Sequence, residues 1–141
     1  MAVTSDYAMV RVYPVSYEEV LPQVKAALKE EGFGVLTEID VKSTLKEKID
    51  VDFRPYIILG ACNPRLAHRA LSAEADLGLL LPCNLVVSEE GPGRSRVAAV
   101  SPIAMLSVAQ GNEELAKVGE EAQAAFDRVL AKLDKTLGGD Q

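Results

Sequence analysis

The stretch NLVVSEEGPGRSRVAAV, residues 84–100, decides the fold of this chain. Two apolar segments, residues 84–88 and 96–100, flank a centre made of Gly91, Pro92 and Gly93. Glycine adopts positive φ without steric cost and proline presets the backbone for a turn, so this pattern predicts a β-hairpin. Because a tight hairpin joins antiparallel strands, we expect the sheet to be antiparallel here.

Three segments upstream of the hairpin also have strand patterns. Residues 8–13 (AMVRVY) are rich in β-branched and aromatic types and stop at Pro14. Residues 33–39 (FGVLTEI) alternate in the manner of a half-buried strand. Residues 56–59 (YIIL) form a continuous apolar run that ends at Gly60 and predicts a central strand.

Two long helices have clear start and stop signals. Ser16 and Glu19 have the S-x-x-E spacing of a capping box, and Gly32 supplies a left-handed stop. Near the end of the chain, Asn112 is a good helix cap, and an apolar stripe at helical spacing continues to Gly138. These signals predict a helix after the first strand and another at the C-terminal end.

Two shorter helices are predicted between the strands. In residues 41–49 (VKSTLKEKI) apolar side chains recur four residues apart, so we expect an amphipathic helix that covers one edge of the core. Asn63 and Pro64 form a cap followed by the residue best suited to the first helical position. They predict a short helix over residues 65–71, followed by a looser turn or helix over residues 72–78.

The resulting order of elements is β-α-β-α-β-α-β-β-α. We expect an α+β fold in which a mainly antiparallel sheet of about five strands has helices packed on one face. No internal repeat, low-complexity run or linker interrupts this pattern, so the sequence predicts a single domain over residues 1–141.

The charge balance restricts the kinds of partner. The chain has 141 residues with 15 basic and 21 acidic side chains, a formal net charge of −6. Nucleic acids and anionic membranes bind basic surfaces, so we expect neither as a partner. No segment approaches the roughly 20 apolar residues of a membrane span, and residues 1–12 lack the pattern of a signal peptide. We therefore expect a cytoplasmic protein with reduced cysteines.

Residues 102–110 (PIAMLSVAQ), between the hairpin and the last helix, are apolar without a clear period. Two interpretations fit an apolar connector on a small acidic protein. It fills the core of its own chain, or it forms the contact of a homodimer.

The residues best suited to chemistry are two cysteines and their neighbours. Cys62 precedes a predicted helix N-terminus, where backbone amides stabilise a thiolate, and Cys83 precedes the next strand. If those strands pair antiparallel, both thiols lie at the same end of the sheet, with Asn63 beside them. Three interpretations remain open: buried core residues, redox-active or ligand-binding thiols, and metal ligands.

Other motifs are missing, and this excludes several classes of function. The chain has no phosphate-binding glycine loop, no C-x-x-C and no spacing typical of metalloproteases or EF-hands. Its single histidine, His68, lies on a predicted helix without a nucleophile elbow, which disfavours a hydrolase. The sequence therefore leaves the cofactor unknown, and it contains no established metal-binding motif.

Glu38 is a further candidate binding residue because it interrupts a half-apolar strand. Its carboxylate is expected either in solvent or in a groove beside Lys42 or Lys48. A buried carboxylate needs a partner, so the second arrangement would mark a polar pocket.

Three strings resemble a known family. They are GFGVLTEIDVKSTLKEKI from Gly32, YIILGACNP from Tyr56 and LLLPCNLVV from Leu79. The chain is similar over nearly its whole length to the bacterial and archaeal family catalogued as domain of unknown function three hundred and two. The resemblance implies an α+β arrangement like that of the TATA-box-binding protein, small dimers and an unknown activity. The matching residues are Gly32, Phe33, Glu38, Cys62, Asn63, Pro64, Pro82 and Cys83.

The sequence leaves three hypotheses for function. The first is a module that binds a small molecule or a thiol ligand, with Cys62, Asn63, Cys83 and Glu38 as the candidate site. The second is a thiol-dependent redox enzyme or sensor. The third is a dimeric interaction protein in which the cysteines are only structural.

Overall fold

The computed structural model describes residues 6–109 and 111–138, and it shows the expected order of elements with one short helix added between the last strand and the last helix. Within these residues the chain forms five strands, five α-helices and one short 3₁₀ helix. The strands are β1 (Ala8–Tyr13), β2 (Gly34–Asp40), β3 (Tyr56–Cys62), β4 (Cys83–Gly91) and β5 (Arg94–Val100). The helices are α1 (Tyr17–Glu30), α2 (Val41–Ile49), α3 (Pro64–Ala73), the 3₁₀ helix (Ala75–Leu80), α4 (Pro102–Leu106) and α5 (Glu113–Leu137).

The strands form one sheet in the order β1-β5-β4-β3-β2, and each neighbouring pair is antiparallel. The predicted hairpin joins β4 to β5, where Leu85 faces Ala99 and Val87 faces Val97 across the pair. Because directly opposed residues share a face, these four side chains form one apolar surface.

The core lies between this apolar surface and the helices α1 and α5. Phe33 and Phe126 meet there with ring centroids 4.8 Å apart. The fully buried side chains of this layer include Val20, Val24, Leu28, Leu59, Leu85, Val87, Phe126 and Leu130. This confirms the expected α+β class, with helices packed against an antiparallel sheet.

The prediction that β3 ends at Gly60 was wrong, because the strand continues to Cys62. A Cβ atom at residue 60 would lie 2.7 Å from Cγ of Pro82 and would overlap the hydroxyl of Thr37. Glycine is therefore present because two neighbouring side chains approach the backbone closely, and it does not terminate the strand.

Helix α2 has the predicted bounds but does not cover the core as expected. None of its residues is buried, and Ile49 is 63 % exposed. It is capped by the side chain of Asp40 and ends at Asp50, whose φ is 55°. The four-residue spacing was a correct signal for helix but not for burial.

The apolar connector is partly helical, since α4 occupies residues 102–106. Ser101 caps this helix by accepting a hydrogen bond from the backbone amide of Ala104. Pro102 and Leu106 are buried, whereas Ile103 and Val108 are 49 % and 71 % exposed. Gln110, the last residue of the predicted connector, lies outside the described residues. The connector thus contributes both to the core and to the surface.

In the described part of the chain, no helix has the length and apolar character needed to cross a membrane.

Candidate functional site

The two cysteines lie at the same end of the sheet. Strand β3 ends at Cys62, strand β4 begins at Cys83, and the two strands pair antiparallel with Ala61 opposite Cys83. Both cysteines are free thiols. The chain returns to the end of the sheet that it left because α3 and the 3₁₀ helix are two short pieces instead of one long helix.

Asn63 connects strand β3 to helix α3. Its Oδ1 accepts hydrogen bonds from the backbone amides of Arg65 and Leu66, at 3.1 and 3.2 Å. Its amide nitrogen faces Gly32, where a Cβ atom would lie 3.1 Å from Nδ2 and φ is +82°. Asn63 is therefore a structural cap, held against the turn that precedes β2.

A cavity of about 300 Å³ opens beside these residues, and we call it the thiol pocket. Its lining comes from β2, β3, α3, the 3₁₀ segment, β4, α4 and α5. The lining residues are Phe33, Leu36, Thr37, Ala61, Cys62, Asn63, Leu66, Ala67, Ala70, Leu71, Leu77, Leu81, Pro82, Cys83, Pro102, Met105, Leu106, Val118 and Ala122.

The thiol pocket lies where the hydrophobic core divides into two clusters. The larger cluster includes Phe33, Ala61 and Cys83, and the smaller one consists of Ala70, Leu77, Leu106, Leu115 and Val118. Leu66 and Met105 pack against both clusters. The pocket is thus a gap in the apolar interior between the sheet and the α3–α4 layer.

The mouth of the thiol pocket carries exposed apolar side chains. Leu36 and Leu71 both line the pocket, yet they are 68 % and 41 % exposed. The register between β2 and β3 shifts between Val35 and Thr37, so Leu36 has no opposing residue and lies at a bulge. A β-bulge re-aims a side chain, and this one sets Leu36 at the entrance.

The two thiols differ in their surroundings. Cys83 is 8 % exposed, and burial raises the pKa of its thiol to about 11, with a smaller contribution from the nearby Cys62. Cys62 is half-buried. We expected the amides at the start of α3 to stabilise a Cys62 thiolate, but those of Arg65 and Leu66 are bonded to Asn63.

Glu38 is exposed on β2, which is the first of the two arrangements expected for it. Its carboxylate lies outside the thiol pocket and pairs with Lys25 of α1 at 3.0 Å. The expected partners Lys42 and Lys48 do not hold it, and Lys42 instead donates to the backbone carbonyl of Phe53. The neighbouring Thr37 lines the pocket, because adjacent side chains point to opposite sides of the strand once it has passed the bulge at Leu36.

The remaining polar candidate, His68, lies away from the two thiols. His68 is exposed on α3 and does not line the thiol pocket. Over residues 6–109 and 111–138, no group of three or more histidine, cysteine, aspartate or glutamate side chains is placed to hold a metal ion.

Sequence reasoning missed most of the apolar lining. Met105 and Leu106 were recognised as apolar but without a location, and Leu36, Ala67 and Leu71 were not singled out. No motif signals them, because their proximity depends on how α3 and α4 pack against α5.

Comparisons with known proteins agree on one family. The family model described as "Domain of unknown function DUF302" matches residues 9–133. The chain is similar to an uncharacterized conserved DUF302 protein from Bacillus stearothermophilus, whose crystal structure matches with a TM-score of 0.79 and 30 % sequence identity. That match covers 92 % of this chain and 98 % of the other. No curated protein matches.

Proposed function

The chain belongs to the DUF302 family, whose function is unknown, and we propose that it is a binding module for a small apolar molecule. The ligand would occupy the thiol pocket, with Cys62, Asn63 and Cys83 in the wall. The observation that carries this proposal is the cavity of about 300 Å³, which opens at the residues that the sequence singles out.

The size and lining of the thiol pocket support a small apolar ligand. Its volume of about 300 Å³ is at the lower end of the range for ligand sites, roughly 300–1,000 Å³. An engineered apolar cavity of about 150 Å³ binds benzene, so this pocket has room for two fused or linked rings or a chain of about ten carbons. Leu36 and Leu71 at the mouth offer such a ligand an apolar entry.

The protonated thiol of Cys83 favours ligand binding over thiol catalysis as the function. A nucleophilic or redox cysteine needs a thiolate at neutral pH, and such residues have lowered pKa values. Burial raises the pKa of Cys83 instead, to about 11. The thiol of Cys83 therefore acts as a small apolar group in the wall. A redox enzyme or sensor would have to use Cys62 alone as its reactive cysteine.

We also propose that the protein is a cytoplasmic homodimer. Reduced thiols fit a reducing compartment. Ile103 and Val108 are apolar, exposed and close in sequence, which supports the connector as part of the dimer contact.

Fluorescence titration with N-phenyl-1-naphthylamine, an uncharged apolar dye, tests the binding proposal. The variant Ala67→Phe fills the thiol pocket from α3, and His68→Phe adds the same ring on the exposed side of that helix. We expect Ala67→Phe to weaken dye binding at least about tenfold, equivalent to roughly 1.4 kcal/mol, and His68→Phe to leave it unchanged.

A second variant tests the same pocket independently of whether Ala67→Phe folds. Leu36→Glu changes a residue that is 68 % exposed, and it places a charge at the mouth of the pocket. It should keep the wild-type melting temperature within a few degrees and still weaken binding. Wild-type affinity for the dye in folded Ala67→Phe and in Leu36→Glu would refute the proposed site.

A further inference from the structure

The lining of the thiol pocket carries no charge. None of its lining residues within residues 6–109 and 111–138 is Asp, Glu, Lys, Arg or His, although 26 % of the chain is charged. The polar groups in the wall are the two thiols, the hydroxyl of Thr37 and the side-chain amide of Asn63. A buried charge needs a partner of opposite sign or several hydrogen bonds, and this wall offers no opposite charge.

The thiol of Cys83 is uncharged at neutral pH. Burial keeps the pKa of that thiol near 11, so its proton stays in place. A cationic ligand would therefore meet no thiolate at this side of the pocket.

The N-terminus of α3 does not supply an anion site either. Pro64 has no amide hydrogen, the amides of Arg65 and Leu66 donate to Oδ1 of Asn63, and that of Ala67 donates to the Asn63 carbonyl at 2.9 Å. The first turn thus has its donors already engaged. A carboxylate or phosphate placed here would find no free backbone amide.

Arg69 of α3 is also engaged. Arg69 contacts Glu114 at 2.9 Å and Glu121 at 2.6 Å, which ties α3 to α5 on the outside of the pocket. Arg65 and His68 are exposed on the same helix and do not line the pocket. No basic group of α3 therefore reaches into the cavity.

We infer that the thiol pocket selects uncharged ligands and rejects compounds of the same length that carry an ionised head group. The ligand class is a neutral apolar compound with at most a hydroxyl, carbonyl or ester group, such as an aliphatic alcohol or a two-ring aromatic. This inference rests on the proposed function, since it specifies what the same pocket binds.

Competition by three ten-carbon compounds tests the inference. Each is titrated into the wild-type protein with bound N-phenyl-1-naphthylamine: 1-decanol is neutral, decanoate is an anion and decylamine is a cation at neutral pH. We expect half-displacement by both ions to need at least about ten times the concentration of 1-decanol.

Decanoate and decylamine are also less hydrophobic than 1-decanol, which by itself weakens their binding. A charge introduced at the mouth of the pocket distinguishes this effect from exclusion of ions by the uncharged wall. Leu71→Lys places a cation at a pocket residue that is 41 % exposed, and Leu71→Met is its uncharged counterpart. The ratio between decanoate and 1-decanol should fall at least about threefold in Leu71→Lys relative to Leu71→Met.

The outcomes distinguish this inference from the proposed function. Displacement by decanoate within about threefold of 1-decanol in the wild-type protein, or an unchanged ratio in Leu71→Lys, would overturn the inference while binding itself stands. Dye binding that none of the three compounds reduces, and that Ala67→Phe does not weaken, would remove the proposed site.

Discussion

Gly60 lies against Pro82, which forms part of the wall at the end of the sheet where the pocket opens. The absence of a side chain at residue 60 lets Pro82 and Thr37, which both line the thiol pocket, lie against strand β3. The sequence could predict the role of Asn63, because a helix cap has a local signal, but it placed the end of β3 at Gly60 instead of Cys62. It could not predict the close approach at Gly60, which depends on a bulge in another strand.

Cys83 makes the protein less stable as the pH rises through the alkaline range. Burial raises the pKa of its thiol from 9.0 to about 11, so the unfolded chain loses this proton first as the pH rises. The contribution is fully present below about pH 9 and is lost on the way to about pH 11. The unfolding free energy should fall by roughly 2–3 kcal/mol over this interval.

Urea denaturation of the wild-type protein and of Cys83→Ala at about pH 8 and about pH 11 measures this loss. Other groups titrate in the same interval in both proteins, so the difference between their two losses isolates Cys83. Equal losses in the wild-type protein and in Cys83→Ala would show that burial does not disfavour the thiolate of Cys83.

Elements with local signals were predicted well. The sequence predicted the bounds of β1 and α2, and the cap at Asn112 marks the observed start of α5. Helix α4 was missed, since five residues do not form a stable helix by local propensity alone. It exists because it packs on α5, where a Cβ atom at Gly119 would lie 3.6 Å from the Cα of Ile103.

The exposed side of the α4 segment tests the proposed homodimer. Ile103→Glu and Val108→Glu each place a charge on an exposed apolar residue that leaves the core intact. Light scattering at micromolar concentration should give twice the 15.1 kDa monomer mass for the wild-type protein and the monomer mass for the double variant. A monomeric wild-type protein, or a dimeric double variant, would contradict this contact.

The antiparallel class of the sheet followed from the hairpin, but the strand order and the thiol pocket did not. An antiparallel hairpin and alternating helices restrict the sheet to few arrangements, and the observed order is among them. The pocket wall instead combines residues as distant as Phe33 and Ala122, which only packing brings together. Its position between two core clusters is a property of the assembled layers and has no signal in any single segment.

The central claim is that an uncharged apolar ligand occupies the thiol pocket. A crystal structure of the wild-type protein with 10-bromo-1-decanol tests this directly, because the anomalous signal of bromine marks one end of the bound chain. We expect continuous ligand density inside the pocket, with ligand atoms within about 4.5 Å of the sulfur of Cys62 or Cys83. Density confined to the exposed Ile103 and Val108 surface, with the thiol pocket closed by its own side chains, would contradict it.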